Sequence, residues 1–541
     1  MKRSALLALL LVFLAMIAAT QVSRHTFERL PHLEDEFAYL FQARIFQHGD
    51  VYIQTPEPNR AYWQPFLINL DGKRFGKYPP GYPLILAIGT AMNLPWVVNL
   101  WLGGLTVALA YRVARELYDE TAGVIAALLM TISPIAILMN ATLMSHTAAL
   151  FFGTVFMYSL WRVERGHRAV RWGFLAGASL GMMIATRPLA AVGMIPPFVL
   201  YSGLRLLWAG LRNRPVLLST LKPLLAITAA TLLFGSLYPL FNAIVSGSPT
   251  TNLYTYIWKY DRIGFGEGYG RYQGEEYLSY QGDGIKIHLQ THAGHSLKRG
   301  WKVVKKDSQC YFRDLFGWTE QPDAPPTSIT VGNECLVDRH GLSWIWLPFG
   351  ILLMRRRPWS VMLLGAGAGI ILIHITYWIG AGVYSARYYF EATAAFAILS
   401  GAGVSALAKL ADRMQLRYGV YALLGILVSM SVLGYTPWRV ESLQGYGRVT
   451  RDPIEAVEKL RYTPDTPVLV IASGKLHWRD LAPFMALTDP YASNPIIGLR
   501  DPDQTYSEEL MAQHPDRQVI FLIEGGRLVP VDIPGRAGYD P

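Results

Sequence analysis

Apolar runs about 20 residues long recur along this chain, each the length that lets one helix cross the hydrocarbon core of a bilayer. Eleven such windows can be marked, near 4–20, 95–115, 120–138, 145–162, 171–187, 189–207, 223–245, 342–354, 359–379, 389–408 and 418–435. The window at 120–138 is interrupted by Ser133-Pro134, and the one at 342–354 is short. The stretch 82–92 is apolar but too short to cross, and reads as a helix lying at the interface. Lipid offers no partners for backbone N–H and C=O groups, so crossing segments close their hydrogen bonds within themselves. The predicted architecture is an all-α polytopic membrane bundle of eleven transmembrane helices.

Composition agrees. The chain is 52% hydrophobic and 16% charged, against about 25% charged in soluble domains. Its net charge of +10 gathers in short loops, as membrane topology requires, and no basic stripe interleaved with aromatics suggests a nucleic-acid groove. Lys2-Arg3, Arg112 with Arg115, Arg162 to Arg171, Arg212 to Lys222, Arg355 to Arg357 and Lys409 to Arg417 occupy every second loop, which places those loops in the cytoplasm. The N-terminus is then cytoplasmic. The run 5–19 admits a signal peptide or a retained first helix; Ala18-Ala19-Thr20 is a poor cleavage site, and a retained helix is expected.

The alternate segments are external and hold nearly everything polar: loop 21–94, loop 246–341, the short loop 380–388 and the tail. In the tail, 468–471 and 518–523 read as strands, with a helix over 506–514 before the second. Such alternation predicts a small α/β extracytoplasmic domain over 436–541, beside a transmembrane domain over 1–435. Cys310 and Cys335 are the only cysteines and share loop 246–341. An oxidising compartment would join them in a disulfide; the alternative is two unrelated thiols.

Ionisable side chains at outer helix ends form one candidate constellation. Asp35 and Glu36 follow the first helix; Lys77 and Tyr78 open a Lys-Tyr-Pro-Pro-Gly-Tyr-Pro run that includes Tyr82. His146, Arg187, Asp261, Arg262, His292, Arg387 and Tyr388 face the same side. Cations there suit a lipid phosphate, and a nearby carboxylate can deprotonate or orient an acceptor. Phosphate leaving and acceptor attacking is glycosyl transfer from a lipid-phosphate sugar.

Glu34-Asp35-Glu36, Tyr39, Gly49-Asp50 and the 77–83 run together resemble the first periplasmic loop of GT-C glycosyltransferases, in pattern nearest the aminoarabinose transferases and protein O-mannosyltransferases. The resemblance continues loosely through Arg187-Pro188 and Arg387-Tyr388-Tyr389. It implies a bacterial cytoplasmic-membrane enzyme of inverting type that uses a polyprenyl-phosphate sugar and a lipid, glycan or protein acceptor. It implies Asp35 as the essential acid, with Glu36 supporting it or helping to fix the loop, and Lys77 and Arg387 as phosphate contacts. It calls for no cofactor, although a divalent metal stays open. The second external loop departs from the pattern: residues 140–146 offer no acid, only His146, and Ala38 stands where some aminoarabinose transferases have a basic residue.

Each candidate has a plainer reading. Acids favour the first turn of any helix, Lys77 can snorkel, the prolines can simply stiffen the entry to a helix, and Asp261 can pair with Arg262. His288, His292 and His295 lack the partners a zinc site needs. P-loop, dinucleotide and hydrolase motifs are missing from the sequence. The rival functions are a flippase for a lipid-linked sugar, which should show inverted repeats and mid-membrane charges, and a non-catalytic envelope-assembly scaffold.

Overall fold

A computed structural model describes the chain except for residues 1–2, 213, 271–276, 279–285, 288–293, 323–324, 326–340, 354–357, 381 and 532–541. Among the described residues, seven helices are long and apolar enough to cross a membrane: Arg3–His25, Val97–Leu117, Ala169–Thr186, Leu217–Ser246, Pro358–Thr376, Arg387–Asp412 and Arg417–Arg448. Two bent helix pairs are apolar and long enough to be broken crossings or re-entrant loops, Glu120–Ile132 with Pro134–Asn140 at 63° and Pro188–Met194 with Pro196–Leu211 at 46°. Proline explains both breaks, since it carries no N–H and its ring clashes with the preceding turn. At the first, the Ser133 hydroxyl accepts from the Ala136 amide at 3.3 Å and restarts the helix.

Among the described residues up to nine segments pass as crossings by length and composition, against the eleven windows of the sequence. The window 342–354 yields only the six-residue helix Leu347–Leu352. The window 145–162 falls in His146–Glu164, a helix that packs in the bundle without reaching the apolarity of the others. Without hydrophobic force between helices in lipid, close backbone approach has to hold them. Gly193 and Gly369 show it: a Cβ on either would collide with the other's carbonyl oxygen.

The first long inter-helix segment is ordered. Helix Glu34–Gln47 is followed by a three-stranded antiparallel sheet in which Lys73–Gly76 lies between Ile53–Gln54 and Leu67–Leu70, with Phe75 opposite Ile68. The middle strand ends where Lys77 begins. Helix Gly81–Ala91, 11 residues long, occupies the apolar stretch expected to be a helix too short to cross.

After the last apolar helix comes a four-stranded sheet. Val468–Ala472 is central and parallel to both Ile496–Arg500 and Gln518–Ile523, and Arg527–Val531 closes one edge antiparallel. All five residues of the central strand are buried, as a parallel strand covered on both faces requires. Val468, Val470 and Ala472 pack against helices Asp452–Leu460 and Trp478–Leu487, and Leu469 and Ile471 pack toward Ser507–Gln513. This sheet is tied to helix Glu34–Gln47. Phe37 meets Trp478 edge to face at 5.8 Å, and Arg44 donates to the carbonyls of Thr488 and Ala486 at 3.2 and 3.0 Å.

Candidate active site

Helix Glu34–Gln47 opens with three acids at its positive end, and each has a different fate. Glu36 is buried and saturated. It accepts from the amides of His32, Leu33 and Leu143 at 3.0, 3.1 and 2.7 Å and from the Tyr384 hydroxyl at 3.0 Å. It forms no part of the cavity wall. Of the two roles expected for Glu36, direct support of the chemistry and fixing of the loop, its four donors fit the second, and the catalytic assignment is corrected to a structural one.

Asp35 faces a cavity of about 890 Å³. It accepts from the Tyr78 hydroxyl at 2.6 Å, and Arg387 Nη2 lies 3.6 Å away. Burial alone would raise its carboxyl. Arg387, Lys77 and the Tyr78 hydroxyl outweigh burial and hold it below the ordinary aspartate value. Asp35 is thus ionised at neutral pH. Glu34 lies on the same wall, 3.6 Å from Arg479.

Lys77 leaves the middle strand buried, with Nζ 3.5 Å from the Phe66 ring centroid, 4.8 Å from Trp258 and 5.1 Å from both Tyr78 and Tyr254. Ring faces attract a cation where water is excluded. Asp261 Oδ2 lies 3.9 Å from this ammonium, while its other oxygen accepts from Tyr377 and Trp378 at 2.8 and 3.1 Å. Burial pulls Lys77 below the ordinary lysine value, and Asp261 and Asp35 restore only part of the shift. Asp261 therefore pairs with Lys77; Arg262 is exposed at the cavity rim.

Arg387 follows a strained turn. Tyr384 and Ser385, neither of them glycine, are both left-handed, with φ of 53° and 71°. Each such residue costs about 1–3 kcal/mol; the bond from Tyr384 to Glu36 holds the turn in place. Arg387 Nε and Nη1 are buried with no hydrogen-bond acceptor among the described residues. Arg187 and Tyr388 also line the cavity.

Two expectations need correction. Tyr82 is fully buried behind Tyr39, their rings edge to face at 5.2 Å, and is not on the wall. His146 is not there either. Its Nδ1 lies 3.2 Å from Glu391, and its ring stacks behind Tyr388 at 6.2 Å. In both cases a polar residue at the expected depth turns into the bundle. His292 and Cys335 lie outside the described residues; Cys310 is disulfide-bonded. Among the described residues no group of three or more His, Cys, Asp or Glu is placed to hold a metal.

Sequence reading missed Glu391, which lies 2.6 Å from Arg187 Nε, and His374, stacked on Tyr388 at 5.4 Å on the wall. It also missed Trp258 and Arg479. A charge inside an apolar window, as at Glu391, is the one signal that was available.

The fold is similar to that of ArnT, a solved membrane protein. ArnT from Cupriavidus metallidurans in the apo state matches with a TM-score of 0.51 at 12% identity, over 95% of this chain and 92% of that one. The same protein bound to undecaprenyl phosphate gives 0.51 at 13%, with the same coverage. The Archaeoglobus fulgidus oligosaccharyltransferase in the apo form gives 0.48 at 14%, over 95% and 69%. Residues 77–238 match the family model described as dolichyl-phosphate-mannose-protein mannosyltransferase. That match starts at Lys77 and ends at Tyr238, both on the cavity wall. No curated protein matches the chain in sequence. In fold and in family model the chain resembles the GT-C glycosyltransferases.

Proposed function

We propose that this protein is an integral membrane glycosyltransferase that moves a sugar from a polyprenyl-phosphate donor to a lipid, glycan or protein acceptor on the extracytoplasmic face of a bacterial cytoplasmic membrane. The observation that carries the reading is one cavity wall on which an ionised Asp35 stands 3.6 Å from Arg387, whose other N–H groups lack acceptors, with the Lys77 ammonium beside them. A carboxylate and two cations converging on one space suit a reaction that takes a proton at one end and releases a phosphate at the other.

In this scheme the donor phosphate lies between Lys77 and Arg387, and the polyprenyl chain follows the apolar helices. The acceptor O–H or N–H sits against Asp35. The acceptor's lone pair forms the new bond to the anomeric carbon while its proton passes to Asp35. The bond from that carbon to the phosphate oxygen breaks, and its electron pair leaves with the phosphate, whose charge Arg387 and Lys77 balance. A single displacement of this kind inverts the anomeric centre. No metal is required by these groups.

The reading is tested with purified protein, a panel of polyprenyl-phosphate sugars and a membrane extract as acceptor source, comparing wild type with Asp35→Asn. Donor-dependent transfer that is lost in the variant supports it. Movement of lipid-linked sugar between leaflets without transfer would replace it with the flippase reading.

A further inference from the structure

Helix Leu297–Asp314 takes no part in the cavity wall, yet its two sides differ sharply. Val304, Asp307, Cys310, Tyr311 and Asp314 are buried on one side. On the other, Lys298, Lys302, Lys305 and Lys306 are exposed, together with Leu297 at 64% and Trp301 at 56%. These positions recur three and four residues apart, which makes one continuous stripe. The only acids in the helix, Asp307 and Asp314, are both on the buried side, so every charge on the stripe is positive.

The ends of the helix fix its depth. Gly300 lies against Ile375, where a Cβ would collide with the Ile375 carbonyl, and Ile375 belongs to the last turn of the crossing helix Pro358–Thr376. Its neighbour His374 is on the cavity wall, so this is the cavity's side of the bundle. At the other end Asp314 accepts from Arg439 Nε at 3.1 Å and from the Tyr435 hydroxyl, both in Arg417–Arg448. The 18 residues extend about 27 Å at 1.5 Å each. The helix thus bridges two crossing helices on the cavity's side of the bundle, and a helix so placed would lie at the depth of the lipid headgroups. Trp and Leu between lysines are the side chains that settle at that depth, with rings and stems in the apolar layer and ammonium groups at the phosphates.

We propose that the exposed face of Leu297–Asp314 is a docking surface for anionic phospholipid headgroups of the membrane the protein spans. Phosphates sit over Lys298, Lys302, Lys305 and Lys306, and Trp301 and Leu297 sink between the lipids. The proposal rests on the chain crossing a membrane and not on the transfer chemistry.

The test is amide hydrogen exchange of full-length protein in vesicles of phosphatidylcholine alone and of phosphatidylcholine with phosphatidylglycerol. Peptides covering 297–309 should exchange several-fold more slowly with phosphatidylglycerol, and molar salt should remove the difference, since exposed charges are screened there. The combined variant Lys298→Gln, Lys302→Gln, Lys305→Gln, Lys306→Gln should lose the protection, and the four matching Lys→Arg changes should keep it. Equal exchange in both vesicles, or protection that survives in the glutamine variant, overturns the proposal. Should the glutamine variant not fold, the salt response of wild type and the arginine variant decides. Undecaprenyl phosphate binding, measured alongside, should be the same in all three proteins. Its absence from wild type would count against the transferase and leave the lipid surface standing.

Discussion

Asp35 and Asp314 have nearly the same partners and opposite surroundings. Asp35 has Arg387, Lys77 and the Tyr78 hydroxyl; Asp314 has Arg313, Arg439 and the hydroxyls of Ser385 and Tyr435. Both carboxyls resist burial because two cations outweigh it, and Asp314 is held down to about 2. Asp314, however, is fully buried away from the cavity: Arg313 Nε lies 3.2 Å from it, and Arg439 spends a further donor on Ser442 at 2.9 Å. Asp35 opens on a cavity, beside an arginine with donors to spare. The same ionic chemistry makes a strut when every donor is used and a site when some are left over.

The largest test of that contrast is Asp35→Asn. Turnover per folded molecule should fall about 10²- to 10⁴-fold, the usual weight of a positioned acid or base, a loss that a lower melting temperature from unpairing Arg387 and Lys77 does not account for. Unchanged turnover would make Asp35 a second strut. Asp314→Asn should do the reverse. Leaving two buried guanidinium groups without their carboxylate costs about 3–5 kcal/mol, read as a lower melting temperature with turnover per folded molecule retained. Its pH dependence has a definite sign. The folded carboxyl lies at about 2, below an unfolded value of about 3.9. The stabilisation is therefore complete above the unfolded value and is lost as pH falls through about 2. The asparagine variant should lack that acid limb.

A finer test concerns Lys77, whose ammonium is pulled below the ordinary lysine value. If Lys77 holds the donor phosphate as proposed, losing its proton removes a charge from that contact. Donor KM should therefore rise with pH below the ordinary lysine range, and Lys77→Arg should move that limb upward. A limb indifferent to the substitution would remove Lys77 from the phosphate. The smallest effect is expected of Arg479→Ala. Its 3.6 Å contact with Glu34 is partly solvated, so a loss of about 0.2–1 kcal/mol should appear as a KM change of a few-fold at most, with kcat retained.

Much of this arrangement was legible because ionised groups beside a bilayer are few. Asp35, Lys77, Arg187, Asp261 and Arg387 were marked on that ground, and all five border one cavity. Hydropathy reports depth but not direction, which is why Tyr82 and His146 were placed on a wall they do not form. Glu391 was hidden inside a window taken for a plain crossing segment. Arg479 carried no pattern linking it to Glu34, because a contact between distant parts of the chain leaves no local periodicity. The bends at Pro134 and Pro196 were equally hard to weigh: the prolines are visible in sequence, but whether a helix continues beyond one depends on what packs around it. In the tail, the strands at 468–471 and 518–523 were readable as apolar runs, whereas Ile496–Arg500, interrupted by Gly498, was not.

Glu36 gives the site a history as well as a shape. Its carboxylate joins residues 107 and 348 positions downstream, at Leu143 and Tyr384. A chain made from its N-terminus cannot complete that junction until residue 384 has emerged. The arginine that faces Asp35 arrives three residues later still. Asp35 therefore stays incompletely framed until the chain has passed residue 387, and the cavity wall around it is complete only when Arg479 has followed.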